Sequence, residues 1–296
     1  MSDFQEWSRA VAGEMERTLE AVLPTAASEP QRLHDAMRYA TLGGGKRVRP
    51  MLAHGAGLVS GAGIENVRIV SAAVEIIHAY SLVHDDLPCM DDDILRRGKP
   101  TCHVEFDVAT ALLAGDALQA LAFELMSAYK LSDAPASQLE MLQIFSRACG
   151  ARGMAGGQAI DLANVGQDIS LPELEFMHIL KTGALIRASV LLGAMCGQPL
   201  PAEKMQKLDH YGKCVGLAFQ VVDDILDCES NTEVLGKTAG KDQDANKPTY
   251  VSLMGLAPAK RFADELLGDA LDALLAFDGK ADRLRQLAEF IVRRRH

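Results

Sequence analysis

Aromatic residues are scarce in this sequence: they fill 5% of its 296 positions, with a single tryptophan. Alanine, leucine and methionine abound instead. Such residues favour helices over the strands that aromatic and β-branched side chains support, so the composition leans all-α. Paired cysteines are missing too. Cys89, Cys102, Cys149, Cys196, Cys214 and Cys228 are scattered with no CxxC, and in a chain this long they read as reduced residues in or near a core rather than as a disulfide framework. There is no excess of positive charge, since 30 Lys and Arg face 40 Asp and Glu for a net −10. That balance argues against general affinity for nucleic acid or an anionic membrane and makes local basic clusters informative. Uncharged apolar runs stop short of the ~18 residues of a membrane span; Arg187 interrupts the best candidate and Asp116 the next. Met1-Ser2-Asp3-Phe4-Gln5-Glu6 lacks the basic start and apolar run of a signal peptide. The expectation is a soluble, cytoplasmic protein without a membrane span.

What is present is helical periodicity. Phe4, Trp7, Val11, Met15, Leu19 and Val22 recur at spacings of three and four, an amphipathic face over 4–22. Helices are predicted next over 33–42, ended by Gly43-Gly44-Gly45, and over 51–60 behind Pro50. Others follow over 65–87, where Pro88 stops or kinks the run, then 107–129, 137–162, 172–196, 201–228, 258–277 and from 281. No run alternates in polarity long enough to demand a strand. The polar stretch from Glu229 to Lys247 reads as a mobile loop, and Asp116 as a buried carboxylate with a structural partner. Arg293-Arg294-Arg295 reads as a solvated tail, the alternative being a basic end that closes over diphosphate. One helical domain over 1–296 is the simplest account.

Two acidic clusters each follow a strongly apolar helical run. They are His84-Asp85-Asp86-Leu87-Pro88-Cys89-Met90-Asp91-Asp92-Asp93 and Gln220-Val221-Val222-Asp223-Asp224-Ile225-Leu226-Asp227. Carboxylates gathered at the end of a buried helix repel one another and lose solvation unless cations sit among them. Hard oxygen ligands at this density suit Mg²⁺, which takes one or two carboxylates together with substrate phosphates and water. Asp223 and Asp227, four apart, share a helix face with Asp224 beside them. In the first cluster Pro88 disturbs the helix, and spacing alone does not choose among Asp91, Asp92 and Asp93. Arg96 and Arg97 come directly after it, and guanidinium forks match phosphate oxygens. His78 lies seven residues before Asp85, nearly two helical turns, and projects from almost the same face.

These clusters belong to a longer ordered set. Gly44-Gly45-Lys46-Arg47-Val48-Arg49-Pro50 comes first, then Glu75-Ile76-Ile77-His78-Ala79-Tyr80-Ser81-Leu82-Val83, leading into the first cluster. After it stand Leu95-Arg96-Arg97-Gly98, Ala114-Gly115-Asp116, Gly156-Gly157-Gln158, Lys181-Thr182-Gly183, the second cluster and Gly236-Lys237. From about Leu42 to Tyr250 the set resembles the trans-isoprenyl diphosphate synthases, most of all the bacterial farnesyl diphosphate synthases. The resemblance implies an all-α isoprenoid synthase fold, with helices around a central cavity and the two aspartate motifs facing each other across its mouth. It also implies a homodimer, and three Mg²⁺ ions bridging the motifs to an allylic diphosphate. Asp85, Asp91 and Asp223 would be direct ligands, with Asp86, Asp224 and Asp227 as ligands or their supporting partners. Arg96 and Lys181 would hold the allylic diphosphate, and Lys46, Arg49, His78 and Arg97 isopentenyl diphosphate. Lys237 and Lys247 would swing in when substrate binds.

The implied reaction is prenyl transfer. Mg²⁺ and the basic side chains stabilise the departing diphosphate, and the isopentenyl double bond attacks the allylic cation. The Lys181 carbonyl, the Thr182 hydroxyl and the Gln220 amide oxygen would direct dipoles at that cation. Tyr80 lies ~7.5 Å along a helix axis from Asp85. By resemblance it sets the cavity floor together with Ser81 and stops growth at fifteen carbons. Alternatives are a geranylgeranyl diphosphate synthase with a deeper cavity, a terpene cyclase, whose second metal motif would differ, and a silent partner subunit, which would have lost ligands.

Overall fold

The computed structural model describes residues 3–233 and 248–294, with the backbone alone for 230–233. Lys237, Lys247 and Arg295 lie outside the described residues. Helix α1 (Asp3–Val22) turns Val11, Met15 and Leu19 inward, as its periodicity predicts. Helices α2 (Gln31–Thr41), α3 (Val48–Ser60) and α4 (Ile64–Asp85) follow. Helix α4 is the central strut. Val70, Val74, Ile76 and Ile77 are wholly buried where it packs against α3, α6 (Val108–Ala128) and α10 (Ala184–Met195). After α4 the chain makes a two-residue hairpin, β1 (Leu95–Arg96) with β2 (Lys99–Pro100). Its turn residues Arg97 and Gly98 have φ of 53° and 74°, the left-handed conformation that tight hairpins need. A short α5 (Cys102–Glu105) leads into α6.

Three predicted boundaries shift. The expected helix 137–162 is two, α7 (Pro135–Cys149) and α8 (Met154–Ala163). Gly150 and Gly153 break it, because glycine ends a helix without steric cost, a break that hydrophobic periodicity does not register. Between α9 (Leu171–His178) and α10 runs a wider, π-helical turn over Ile179–Gly183. Helix α11 (Ala202–Glu233) continues past the residue where the polar loop was expected to begin. Beyond the undescribed segment, α12 (Tyr250–Met254) is capped reciprocally by Thr249 and Ser252 at 3.0 and 2.9 Å. Helix α13 (Leu256–Ala273) packs along α11, and α14 (Asp282–Arg293) closes the chain.

Helices α4 and α6 and the continuous stretch Leu171–Met195 are as long and apolar as membrane spans. All three carry charged residues. Two are mostly covered by other helices, whereas α6 has only 33% of its apolar window buried. Its open face includes Val108, Leu112 and Leu113. Asp116 stands exposed on that same helix rather than buried with a partner; α6 is apolar all round, so its sequence does not disclose which side turns outward. All six cysteines are free; Cys102, Cys149, Cys196 and Cys214 are buried and Cys228 half-buried, whereas Cys89 is exposed rather than in or near a core.

Candidate active site

The first acidic motif forms where α4 ends. The chain wraps back on itself so that the Asp91 N–H donates to the Asp85 carbonyl at 2.8 Å, while the Asp92 N–H reaches the Leu87 carbonyl at 3.2 Å. This brings Asp91 beside Asp85 and leaves Asp92 outside at φ 50°, a choice that helical spacing left open. Asp93 faces Arg96 at 3.7 Å. Burial pushes the Asp85 carboxyl up to about 6, opposed by Lys181 and reinforced by Asp91. Asp86 is buried with both oxygens occupied by Arg96, at 2.6 and 3.0 Å. It therefore orients the arginine and fits the supporting role better than that of a direct ligand.

The second motif lies on α11. Burial raises the pKa of Asp223, while Arg294 and Lys46 oppose the rise. Arg294 donates to Asp223 at 2.6 Å with a side chain only 4% exposed, which corrects the reading of a solvated tail at that residue. Arg293 is exposed and pairs with Asp264. Asp224 is buried and accepts from Gln220 Nε2 at 2.9 Å and from the Tyr250 N–H at 2.8 Å, so it ties α12 to α11. Asp227 is exposed.

Two cavities adjoin between these motifs. One, of about 410 Å³, is lined by Lys46, Arg49, His78, Arg97, Asp223 and Arg294. The other, of about 340 Å³, is lined by Asp85, Lys181 and Thr182 together with Leu82, Met154, Ala159, Leu162, Tyr80 and Ser81. Arg49 and His78 line both. Burial, and then Arg49 and Arg97, hold the His78 pKa well below its usual value, so the imidazole is neutral. Arg97 donates to the Gly44 carbonyl at 2.6 Å. Arg47 fastens the loop before α3 by donating to buried Glu75 at 2.6 Å and to the Thr41 carbonyl at 2.9 Å. Lys181 pairs with Asp161 at 2.5 Å. The Thr182 hydroxyl donates to Gln220 Oε1 at 3.3 Å.

The floor has its own support. The Tyr80 ring meets His84 edge-on, centroids 5.3 Å apart, and His84 Nε2 donates to the Leu112 carbonyl of α6 at 3.0 Å. The imidazole fits there because residue 115 is glycine; a Cβ at that position would fall 2.0 Å from Nε2.

Among the described residues no three of His, Cys, Asp or Glu are grouped to hold a metal ion by themselves. The donor set nonetheless fits Mg²⁺. Asp85 and Asp223 are carboxylates that burial makes costly to ionise, and a divalent cation shared with diphosphate oxygens would relieve that cost. The two cavities bring together Lys46, Arg49, His78, Tyr80, Ser81, Asp85, Arg97, Lys181, Thr182 and Asp223, whereas Asp86 and Arg96 line a neighbouring cavity, Asp224 is engaged in packing α12 on α11 and Asp227 is exposed. The site adds Phe219 and Asp161, which carried no sequence signal beyond their apolarity or charge, and gives a place to Arg294 and to the Arg47–Glu75 pair, which stood in motifs without a role. Gln158 was visible within Gly156-Gly157-Gln158, without a role.

Comparison with known proteins agrees with this geometry. The model of the family described as polyprenyl synthetase matches residues 30–276. The farnesyl diphosphate synthase of Haemophilus influenzae is 46% identical over 299 residues, which cover 100% of both chains. An FPP/GFPP synthase from Zymomonas mobilis, solved in apo form, superimposes with a TM-score of 0.87 at 41% identity, covering 98% of this chain and 99% of that one. The geranyltransferase of Helicobacter pylori complexed with magnesium and isoprenyl diphosphate gives 0.83 at 33% identity, covering 99% and 97%. The chain belongs to the polyprenyl synthetase family.

Proposed function

We propose that the protein is a Mg²⁺-dependent farnesyl diphosphate synthase, condensing isopentenyl diphosphate with dimethylallyl and then geranyl diphosphate. One observation carries this reading: a cationic chamber and an apolar chamber adjoin at Arg49 and His78, with Asp223 lining the first and Asp85 the second. A substrate with a diphosphate head and a hydrocarbon tail fits the apolar chamber and its mouth, and a second diphosphate fits the cationic one. Asp85, Asp91 and Asp223 would hold Mg²⁺, as three ions with diphosphate bound, and it would supply Lewis-acid stabilisation of the leaving group.

The chain's own residues do the rest. Arg96, held by Asp86, and Lys181, held by Asp161, present fixed positive charge to the allylic diphosphate, as preorganised electrostatic stabilisation requires. Lys46, Arg49 and Arg97 hold isopentenyl diphosphate, and neutral His78 donates a hydrogen bond to it without adding charge. The apolar walls exclude water from the allylic cation. Tyr80 is 8% exposed at the floor, which supports a fifteen-carbon product over twenty. The open apolar face of α6 supports a homodimer, and the free cysteines support a reducing, cytoplasmic setting.

Incubating the purified protein with Mg²⁺, isopentenyl diphosphate and five-, ten- or fifteen-carbon allylic primers, then weighing the products, tests the reading. Farnesyl diphosphate is expected. Cyclised hydrocarbon, or no turnover, would overturn it.

A further inference from the structure

Gln158 stands out in the apolar chamber. Its side chain is part of the wall and the residue is 8% exposed. Neither Oε1 nor Nε2 has a hydrogen-bond partner among the described residues. A buried amide left unpaired costs stability, so its place calls for a partner that arrives with the substrate. The backbone fixes that place. At Gly157 a Cβ would lie 2.2 Å from the Lys181 nitrogen, so only glycine lets α8 press directly on the π-helical turn. That contact sets Gln158 beside Lys181 and Thr182 in one wall.

The rest of the chamber narrows the choice of partner. Below the basic mouth the wall is made by Leu82, Met154, Ala155, Ala159 and Leu162, so the ligand there presents hydrocarbon and whatever charge the reaction creates on it. Gln220, the other amide considered for this role, is already engaged. Its oxygen accepts from Thr182 at 3.3 Å and its nitrogen donates to Asp224 at 2.9 Å.

We propose that Gln158 is a further catalytic residue, whose amide oxygen faces the allylic carbons and stabilises the cation formed as diphosphate departs. The inference rests on the prenyl-transfer reading. The allylic C–O bond breaks and its electron pair leaves with diphosphate. The isopentenyl double bond then supplies the pair for the new carbon–carbon bond, and the resulting tertiary cation loses a proton to the released diphosphate. Gln158 gains and loses no proton; it contributes a fixed dipole where positive charge passes.

The test compares wild type with Gln158→Leu and with Gln158→Met, which keeps the length and flexibility of the side chain. Two inhibitors are used: an ammonium analogue of the allylic cation given with pyrophosphate, and an allylic thiolodiphosphate whose chain is uncharged. Roughly ten- to hundredfold loss of kcat is expected with KM nearly unchanged. Affinity for the ammonium analogue should fall by about tenfold or more, that for the thiolodiphosphate staying within twofold. Equal losses for both inhibitors would reveal a packing role and overturn the proposal, as would an unchanged kcat with unchanged ammonium binding. If wild type itself makes no prenyl diphosphate, the functional reading fails first, independently of Gln158.

Discussion

Arg294 donates to Asp223 at 2.6 Å while its guanidinium lies 4.1 Å from the centroid of the Phe219 ring. The end of the last helix thus places a cation on the first carboxylate of the second acidic motif. A divalent ion bound at Asp223 would compete with it. Arg294→Gln is therefore expected to lower the Mg²⁺ concentration for half-maximal turnover by roughly two- to tenfold, the range of a modest ion pair. A Mg²⁺ titration of initial rates measures this; an unmoved midpoint would mean that ion and guanidinium do not compete.

Burial raises the carboxyl pKa of both Asp85 and Asp223. Asp85→Ala and Asp223→Ala are each expected to cut turnover by ~10³-fold or more, through loss of electrostatic stabilisation of the leaving diphosphate. Circular dichroism should keep its helical signal. Retained activity in either variant would remove that residue from the metal site.

Tyr80→Ala is expected to lengthen the product, because the ring that closes the cavity floor is gone and the chain can extend along α4. Mass analysis of the diphosphates should then show twenty-carbon product. A folded variant that still stops at fifteen would shift the floor to another residue.

His178 gives a pH dependence that can be isolated. It is buried, neither ring nitrogen has a partner among the described residues, and it stacks on Tyr250 with centroids 5.5 Å apart. Burial lowers its pKa from 6.5 to about 4. Between those values the unfolded chain takes up a proton that the folded chain refuses. The stability this contributes is fully present above pH 6.5 and drains as the pH falls towards 4, by up to roughly 3 kcal/mol. His178→Phe keeps a stacking ring and should flatten that part of the slope, read from urea midpoints at successive pH values. An identical slope would place the acid sensitivity elsewhere.

Helix α1 was legible from its 3.6-residue period, and α4 from a long apolar run that stops before Pro88, and both lie nearly where those signals put them. The acidic motifs were legible for a different reason: so many carboxylates beside a buried helix have few neutral explanations. What escaped depended on non-local packing or on backbone detail. The choice of Asp91 over Asp92 rests on one backbone hydrogen bond to Asp85. Arg294 looked like a solvated tail because its partners, Phe219 and Asp223, are more than seventy residues away in sequence. Asp116 looked buried because an apolar helix does not announce which face is left open.

His84 joins two functions through one vacancy on its neighbour. The imidazole occupies the notch that Gly115 leaves in α6, and it touches Tyr80 on one side while Asp85 follows it in the chain. A single methyl group added at Gly115 would push that ring aside, and the movement would reach both Tyr80 and Asp85. Substitutions on a helix that supplies no lining residue to the chamber are thus expected to disturb the residues that do line it.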